Sequence, residues 1–540
     1  MNLYICGTKN IFMLRKLLLL VDLCSFLTTK KLYYCFLLCI IYLNGYGQCF
    51  ECAKNNGEWI EDSPGDIVVT NDGLLYSYYL GGFDPQNLMK YDFNCNLMWS
   101  KNFGNNYTPI TDITTDEMGN IYIIIAKTSG VQDGGLYNVN GTMLYSGQTL
   151  YKLDSNGNPI WYKKLGGSPY GRESNLFYKQ NAIYVTGVFY ETNINNEILL
   201  TFENTGGAGQ YLAKFTTDGL LVNAKGIGEA NERYSASTMD DEGNFYLTKY
   251  YSNTVTKIER YNADLDLVWS NTISTNNLAN YDIYRPINLH YSESSDKLYV
   301  WGTATSTVSI LGNIYNVTPP NSGITNSILT EFSPSTGSLE RHKLIKNIDE
   351  FEFHNPFYNS GHFAEKDGEL YIFTNFTDTL VFPNATIHST SYTSGGDTFQ
   401  SQDMVLFKVD LSTFEDEFIF RTFYGDNGWD RDDHADKIVF HNDDLYMTAA
   451  FVSTPLNING SIINNNSGNG ESDAMLYKYN LNASASSGEI IVENTCVNEQ
   501  TSFHVDGTYN SISWNFGDPA SASNTSTLNN PQHQFSAAVN

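Results

Sequence analysis

Short apolar runs in which hydrophobic and polar residues alternate recur along most of the chain. Stretches rich in Asn, Gly, Ser and Thr separate them. A period of two residues is typical of a half-buried β-strand, and the intervening residue types are those that tight turns need. Beyond position 47 no convincing run follows the 3.6-residue period of a helix. We therefore expect an almost entirely β structure after that point.

A longer pattern groups these runs into seven copies. Each copy has an apolar run with a Tyr, followed 14 to 37 residues later by a second run around a Lys-aromatic or related pair. The Tyr positions are Tyr76, Tyr122, Tyr184, Tyr246, Tyr299, Tyr371 and Tyr446, and the second anchors are Lys90, Lys152, Lys214, Arg260, Glu331, Lys408 and Lys478. The two series interleave without a gap. Self-similarity at this spacing predicts propeller blades rather than one large sandwich.

The second copy shows what one unit contains. Its apolar runs cover residues 110–114, 121–126, 150–154 and 160–165, with turn-forming residues at 116–120 and 155–158. Four strands joined as a meander make one blade. The sequence therefore predicts an all-β protein with a seven-bladed β-propeller of four-stranded blades over residues 48–494.

Two features of the repeat have a structural and a functional interpretation. The turn Asp116 to Asn120 returns at Asp240 to Asn244, and we expect tight hairpins there, with calcium binding as the alternative. Trp99, Trp161 and Trp269 each lie nine residues after an anchor. We expect these rings to pack between adjacent blades. The alternative is a stacking platform for a sugar or a cofactor.

Residues 1–47 differ in kind from the rest. Lys30 and Lys31 precede an apolar run from 32 to 43, and Gly45-Tyr46-Gly47 provides small residues where a signal peptidase cuts. The run is short for a membrane span, so we interpret 1–47 as a signal peptide or leader. An upstream apolar stretch, 14–27, suggests an over-long start, with a membrane hairpin as the alternative. Gln48 before Cys49 argues against a lipoprotein, so no membrane insertion is expected after signal removal.

Export determines how the cysteines are interpreted. After removal of 1–47, the chain keeps Cys49, Cys52, Cys95 and Cys496. In an oxidising compartment we expect a disulfide that fastens the N-terminal tail to the first blade through Cys95, with either Cys49 or Cys52 as its partner. A redox motif or half of a zinc site is the alternative for the Cys-x-x-Cys pair.

Charge and motifs restrict the function classes. The chain has 31 Lys and Arg against 59 Asp and Glu, a formal net charge of −28, which disfavours nucleic acid and anionic lipid. Nucleophile-elbow, zinc-protease, phosphate-loop and sialidase motifs are all missing from the sequence, so no catalytic residue and no cofactor is assigned. Asp426, Asp430 and Asp432 are weak candidates for a Ca²⁺ site, and a solvated acidic loop is the favoured interpretation.

Two resemblances to known families follow. Residues 150–154, Trp161, 165–167 and 183–187 look like the bacterial β-propeller repeat of exported proteins, over roughly 57–490. Residues 512–518 with 531–535 resemble the signature of the PKD domain, an immunoglobulin-like β-sandwich. Pro519 and Phe535 depart from that signature, and the family's closing strand is absent. We therefore interpret 495–540 as a partial PKD domain.

The combination of leader, propeller and PKD-like segment resembles cargo of the bacterial type IX secretion system. That resemblance implies a protein secreted or held at the cell surface, and contact with the secretion machinery if the full-length protein carries a sorting domain. We expect a non-enzymatic scaffold that binds an extracellular glycan or protein through long loops. The alternative is an extracellular propeller enzyme that acts on polysaccharide or uses a quinone-like cofactor.

Overall fold

The structure is a computed structural model of the 540-residue chain. It describes residues 52–55, 62–80, 87–103, 110–127, 137–139, 142–144, 147–166, 174–189, 192–194, 198–200, 209–227, 232–251, 255–275, 285–304, 308–315, 326–345, 363–376, 379–394, 397–400, 403–424, 433–452, 456–458, 461–463, 472–481, 489–493, 500–506, 514–515, 525–526 and 531–534. The chain divides into two compact units, Cys52–Lys478 and a second made of Met1–Glu51 with Tyr479–Asn540.

Blades 1 to 3 follow a single short strand, β1 (Cys52–Asn55). Blade 1 contains β2 (Asp62–Thr70), β3 (Gly73–Leu80), β4 (Asn87–Tyr91) and β5 (Leu97–Asn102). Blade 2 contains β6 (Ile110–Thr115), β7 (Ile121–Lys127), β10 (Gly147–Leu153) and β11 (Pro159–Gly166), with a hairpin of β8 (Tyr137–Val139) and β9 (Thr142–Leu144) in between. Blade 3 contains β12 (Leu176–Lys179), β13 (Ala182–Phe189), β16 (Gly209–Thr216) and β17 (Leu221–Ile227), with a hairpin of β14 (Thr192–Ile194) and β15 (Ile198–Leu200).

Blades 4 and 5 continue the same meander. Blade 4 contains β18 (Glu232–Met239), β19 (Phe245–Tyr251), β20 (Val255–Tyr261) and β21 (Leu267–Thr275). Blade 5 contains β22 (Arg285–Ser292), β23 (Lys297–Ala304), β26 (Asn326–Phe332) and β27 (Leu339–Ile345). The hairpin of β24 (Val308–Ile310) and β25 (Asn313–Tyr315) lies between β23 and β26 in sequence but adds to the edge of blade 4 through β21.

Blades 6 and 7 complete the array. Blade 6 contains β28 (Phe363–Lys366), β29 (Glu369–Phe376), β34 (Asp403–Asp410) and β35 (Asp416–Tyr424). Between β29 and β34 come β30 (Thr379–Val381), β31 (Thr386–His388), β32 (Ser391–Ser394) and β33 (Asp397–Gln400). Blade 7 contains β36 (His434–His441), β37 (Asp444–Phe451) and β40 (Asp473–Asn480), and its hairpin of β38 (Leu456–Ile458) and β39 (Ser461–Ile463) adds to β35 of blade 6.

The ring is closed by strand β1, which precedes blade 1 in sequence. Strand β1 pairs antiparallel with β40 and forms the fourth, outermost strand of blade 7. The innermost strand β2 contacts both β6 of blade 2 and β36 of blade 7, so the first and last blades are neighbours. The prediction of a seven-bladed β-propeller with four-stranded blades is therefore confirmed.

Cross-strand pairs of Tyr with a charged anchor recur at equivalent positions. Tyr122 lies opposite Lys152, Tyr184 opposite Lys214, Tyr246 opposite Arg260, Tyr299 opposite Glu331, and Tyr371 opposite Lys408. In three of these pairs the cation lies over the phenol ring, at 5.3 Å from the ring centroid for Lys152, 5.1 Å for Lys214 and 5.7 Å for Arg260. In blade 1 the partner of Lys90 is Leu75, and Tyr76 lies one residue further on. The repeat is thus a cross-strand pair in blades 2 to 6.

At three interfaces a Trp of one blade packs against a Gly of the next. Trp161 of β11 donates its ring N–H to the carbonyl of Thr217 in the β16–β17 turn of the next blade, at 3.2 Å. A Cβ added to Gly219 in that turn would come within 3.1 Å of the Trp161 ring. Trp269 makes the equivalent bond to the Pro334 carbonyl of blade 5 at 3.0 Å. The prediction that these rings pack between blades is confirmed.

The second unit has few described strands. A three-stranded sheet consists of β41 (Glu489–Glu493), β42 (Gln500–Asp506) and β45 (Gln532–Gln534), and β43 (Trp514–Asn515) pairs with β44 (Thr525–Ser526). These strands do not establish an immunoglobulin-like sandwich, so the PKD domain stays a prediction, as do the domain bounds 48–494 and 495–540. None of the residues that the structure describes belongs to a helix able to span a membrane.

Candidate functional site

The direction of the strands gives the propeller two unlike faces. In an antiparallel meander, the connection from the second to the third strand of a blade and the connection to the next blade lie at one end, and the two remaining turns lie at the other. We call the first the loop face; it carries the connections 81–86, 128–146, 190–208, 252–254, 305–325, 377–402 and 452–472. We call the second the turn face; it carries tight turns such as 71–72, 92–96, 116–120 and 154–158.

Acidic residues of the turn face accept hydrogen bonds from donors of their own hairpins. The Asp116 carboxylate accepts the backbone N–H groups of Met118 and Asn120 at 3.0 and 2.8 Å, and the hydroxyl of Tyr122 at 3.0 Å. Asp240 accepts the N–H of Asn244 at 2.8 Å and a Tyr hydroxyl in the same way. This geometry supports the tight-hairpin interpretation of the repeated turn.

Three charged side chains meet on the innermost strands of neighbouring blades. Asp66 of β2 lies between Asp112 of β6 and Lys437 of β36, although Lys437 is 371 positions away in sequence. Lys437 Nζ donates to Asp66 Oδ1 at 2.7 Å. The N–H of Ile113 is 2.8 Å from Asp66 Oδ2 and also 2.8 Å from Asp112 Oδ1, so one donor holds the two carboxyl groups together. We call Asp66, Asp112 and Lys437 the inner cluster.

Burial and proximity separate the protonation of the two carboxyl groups. Burial and the neighbouring Asp66 carboxylate raise the pKa of Asp112 well above its usual range. Burial works in the same direction on Asp66, but the Lys437 ammonium and its hydrogen bonds keep the pKa of Asp66 below its usual range. Asp112 therefore holds a proton under conditions in which Asp66 is ionised. Such a pair has the elements of an acid and a base.

The same contacts give the inner cluster a structural role. Asp66 accepts from Ile113 of blade 2, and Asp112 accepts from the N–H of Leu176 of blade 3 at 2.7 Å. Each Asp thus joins the inner strand of its own blade to that of the next. Asp66 is only 4% exposed and Asp112 9%, whereas the side chain of Lys437 is 18% exposed. Only the cation presents an appreciable surface.

The inner cluster was not apparent from the sequence. Two of its members lie in β-bulges, because the pairing with the second strand shifts between Pro64 and Ile67 and again between Ala435 and Ile438. A bulge interrupts the period of two, so these charges did not stand out from the strand pattern. The available signal was the repeated Asp-Ile at the start of the first two copies, Asp66 before Ile67 and Asp112 before Ile113.

The structure brings together few of the predicted site residues. Asp426, Asp430 and Asp432 lie outside the described residues, so the calcium prediction is untested. Across the described part of the chain, no three His, Cys, Asp or Glu residues form a group that could hold a metal ion. Asp433, which follows Asp432 in sequence, accepts the N–H of Val452 at 2.8 Å. His441, the last residue of β36, stacks on Phe93 with 3.5 Å between ring centroids.

The predicted cysteine partners are placed in part. Cys95 is buried and disulfide-bonded. It lies in the β4–β5 turn at a φ of 60°, in the left-handed region. Cys52 is the first residue of β1, and Cys49 lies outside the described residues. Which cysteine pairs with Cys95 stays a prediction at this point.

Comparison with known proteins adds no family. No family model and no curated protein matches the chain. Among solved structures, it is similar to a prolyl endopeptidase at 10% identity and a TM-score of 0.41, covering 84% of this chain and 55% of the other. The chain therefore spans about half the length of that enzyme.

Two other solved structures resemble the chain over most of their own length. One is a PL25 ulvan lyase, at 10% identity and a TM-score of 0.41, covering 79% of this chain and 96% of that one. The other is the β-propeller domain of the Trilobed protease from Pyrococcus furiosus, at 8% identity and a TM-score of 0.36, covering 75% and 97%. Similarity at this level concerns the fold and says nothing about activity.

Proposed function

We propose that the chain is a secreted or cell-surface propeller scaffold that binds an extracellular glycan or protein on its loop face. The observation that supports this most is the asymmetry of the disc: the long connections leave from one end of the blades, and the turn face consists of short hairpins whose polar groups bond to each other. Rigid blades that present long loops are a common arrangement for recognition. The leader in the sequence and the acidic charge suit an extracellular location.

In this proposal the inner cluster has a structural role and not a catalytic one. Its carboxylate oxygens hold the N–H groups of Ile67, Ile113 and Leu176 as well as Lys437. Breaking those bonds for a substrate would leave buried backbone donors without acceptors, which costs about 1–3 kcal/mol each. We therefore assign Asp66 and Asp112 to holding blades together.

A binding screen on the full chain tests the proposal. We expect saturable capture of one class of glycan or cell-surface protein, without any product, and the same affinity with and without calcium. Replacing 128–146 by a short Gly-Ser connection should weaken the capture if that connection takes part, and each of the other long connections is replaced in turn. The control Met118→Ser, at a 76% exposed residue of the turn face, should bind normally. Capture that survives every loop-face replacement would contradict the proposal.

A polysaccharide-processing enzyme is the second candidate, and the unequal protonation of Asp66 and Asp112 is the observation in its favour. An acid and a base at adjacent positions could protonate a leaving group and accept a proton. If this candidate is right, glycan captured in the screen is converted to shorter products. Asp112→Asn, which keeps a hydrogen-bond acceptor but no titratable proton, would then stop product formation without loss of binding.

A further inference from the structure

Three blade interfaces share one contact between a Trp and a Gly, which we call the latch. The pairs are Trp99 with Gly157, Trp161 with Gly219, and Trp269 with Gly337, and a Cβ on the glycine would lie 2.9, 3.1 and 2.7 Å from the nearest atom of the ring. In each pair the Trp belongs to the fourth strand of one blade, and the Gly belongs to the turn before the fourth strand of the next blade. The glycines have φ values of 76°, 79° and 69°. The latch therefore needs a residue without a side chain in a left-handed turn.

Register identifies the corresponding position in blade 7. The three Trp residues lie opposite the anchors of the third strand, with Lys90 facing Trp99, Lys152 facing Trp161, and Arg260 facing Trp269. In blade 7 the anchor is Lys478, whose Nζ lies 5.8 Å from the ring centroid of Tyr446. The residue opposite Lys478 on the fourth strand is Cys52. Cys52 thus occupies the Trp position of the blade that closes the ring.

The corresponding turn of blade 1 contains Cys95. Its φ of 60° is left-handed, like that of the latch glycines. The carbonyl of Phe93, two residues earlier, accepts the Tyr446 hydroxyl of blade 7 at 2.8 Å. At the blade 2–blade 3 interface, the acceptor is likewise two residues before the glycine, because Thr217 accepts Trp161 ahead of Gly219. Cys95 therefore occupies the Gly position of the closing interface.

We propose that Cys52 is the disulfide partner of Cys95 and that this bond replaces the Trp–Gly latch at the one interface where the two ends of the ring meet. Cys95 is buried and disulfide-bonded, and the register places Cys52 at the position that the Trp occupies in the three interfaces with a latch. The bond ties the outermost strand of blade 7 to blade 1. It thereby prevents β1 from leaving the sheet that it completes.

Formation of the Cys52–Cys95 disulfide is a two-electron oxidation. The Cys52 and Cys95 thiols lose two protons and two electrons and form one Sγ–Sγ bond. A disulfide of the glutathione type, or the disulfide of a thiol oxidoreductase, takes up the electrons and is reduced to two thiols. Such oxidants belong to the oxidising compartments in which structural disulfides persist.

Peptide mapping of the non-reduced full-length protein tests the pairing directly. We expect the peptide with Cys52 linked to the peptide with Cys95, and we expect Cys49→Ser to leave that linkage and the melting temperature unchanged. Cys52→Ser should lower the melting temperature as far as the double variant Cys52→Ser/Cys95→Ser, because either change removes the same bond. A linkage from Cys95 to Cys49 or to Cys496 would overturn the proposal.

A second variant tests the equivalence with the latch without using thiol chemistry. The double variant Cys52→Trp/Cys95→Gly introduces at the closing interface the Trp–Gly pair found at three of the other six interfaces. We expect a melting temperature above that of Cys52→Ser/Cys95→Ser and insensitive to reductant. A melting temperature equal to or below that of the double Ser variant would show that Cys52 does not occupy the Trp position.

Discussion

A glycine in a tight turn can be required for its backbone angle or for the space beside it, and two turns of this protein separate the reasons. Gly219 and Gly312 have φ values of 79° and 84°. A Cβ at Gly219 would lie 2.7 Å from the Lys163 side chain and 3.1 Å from the Trp161 ring, whereas nothing lies within 4 Å at Gly312. Only at Gly219 would the added Cβ meet a side chain of a neighbouring blade.

Substitution by alanine should therefore cost more at Gly219. We expect Gly312→Ala to lower the free energy of unfolding by about 1 kcal/mol through its backbone angle alone. Gly219→Ala should lose about 1–3 kcal/mol more, because the methyl group overpacks the ring of Trp161. Urea unfolding of both variants measures the difference. Equal losses in the free energy of unfolding would mean that a methyl group at Gly219 fits beside the Trp161 ring without overpacking.

A second residue-scale prediction concerns Asp112 and pH. Its folded-state pKa is raised, so the folded protein binds more protons than the unfolded chain between the two pKa values, and stability falls as pH rises through that window. Asp112→Asn removes this titration. Relative to the wild type, we expect the melting temperature of the variant to rise as pH increases from about 4 toward neutrality. Parallel pH profiles of the two proteins would contradict the raised pKa.

At this scale the sequence predicted local roles and missed long-range ones. The packing of Trp161 could be predicted because it lies nine residues after Lys152 in sequence, the separation also found in two other copies. Repeats place equivalent residues at equivalent sites. The partnership of Lys437 with Asp66 could not, because it depends on the meeting of the first and last blades. Arg341 shows an intermediate case: it takes the Trp position opposite Glu331 in blade 5, one residue beyond the constant offset.

Strands of the repeat were predicted better than the hairpins between them. Blade 2 has strands Ile110–Thr115, Ile121–Lys127, Gly147–Leu153 and Pro159–Gly166, each within three residues of the sequence-based bounds. The hairpin β24–β25 lies outside the Tyr and anchor pattern, so the repeat did not predict it. Its partner β21 belongs to the preceding blade, so neither its length nor its local pattern revealed the pairing.

That hairpin should contribute to stability through its buried side. Ile310 is fully buried in a cluster with Ile273 and Leu289, whereas Ile314 on the other strand of the hairpin is 56% exposed. We expect Ile310→Ala to lower the free energy of unfolding by about 2–4 kcal/mol and Ile314→Ala to change it by less than about 0.5 kcal/mol. Chemical denaturation of both variants provides the measurement. A small loss for Ile310→Ala would mean that packing of the hairpin on blade 4 contributes little to the free energy of unfolding.

Across the whole molecule, two ion pairs that join neighbouring blades differ in burial. Lys437 of blade 7 pairs with Asp66 of blade 1, with 2.7 Å between Nζ and Oδ1, and the Asp66 side chain is 5% exposed. Lys366 of blade 6 pairs with Asp443 of blade 7, with 2.8 Å between Nζ and Oδ1, and the Asp443 side chain is 50% exposed. The N–O distances of the two pairs are alike, whereas the burial of their carboxylates differs.

Removal of either cation should reveal that difference. We expect Lys437→Met to lower the free energy of unfolding by about 3–5 kcal/mol, because the Asp66 carboxylate would be buried without its partner. Lys366→Met should lose at most about 1 kcal/mol, since water screens the exposed pair. Thermal unfolding at neutral pH compares them. Similar losses would mean that water reaches Asp66 as freely as Asp443.

The number of blades followed from the sequence, but the way the ring closes did not. Seven copies of the Tyr and anchor pattern gave the count, because each copy is one structural unit. Strand β1 has four residues and lies before the first copy, so no pattern marked it as part of blade 7. Its place emerged only from its pairing with β40.

Completion of the last sheet by β1 has a consequence for synthesis of the chain. The ribosome makes Cys52 long before Lys478, the residue that it faces, so the first strand emerges without a partner. Blades that have already been made can order locally, but a contact this distant in sequence forms slowly and late. We therefore expect the ring to close last, when β40 has been made and β1 can pair with it.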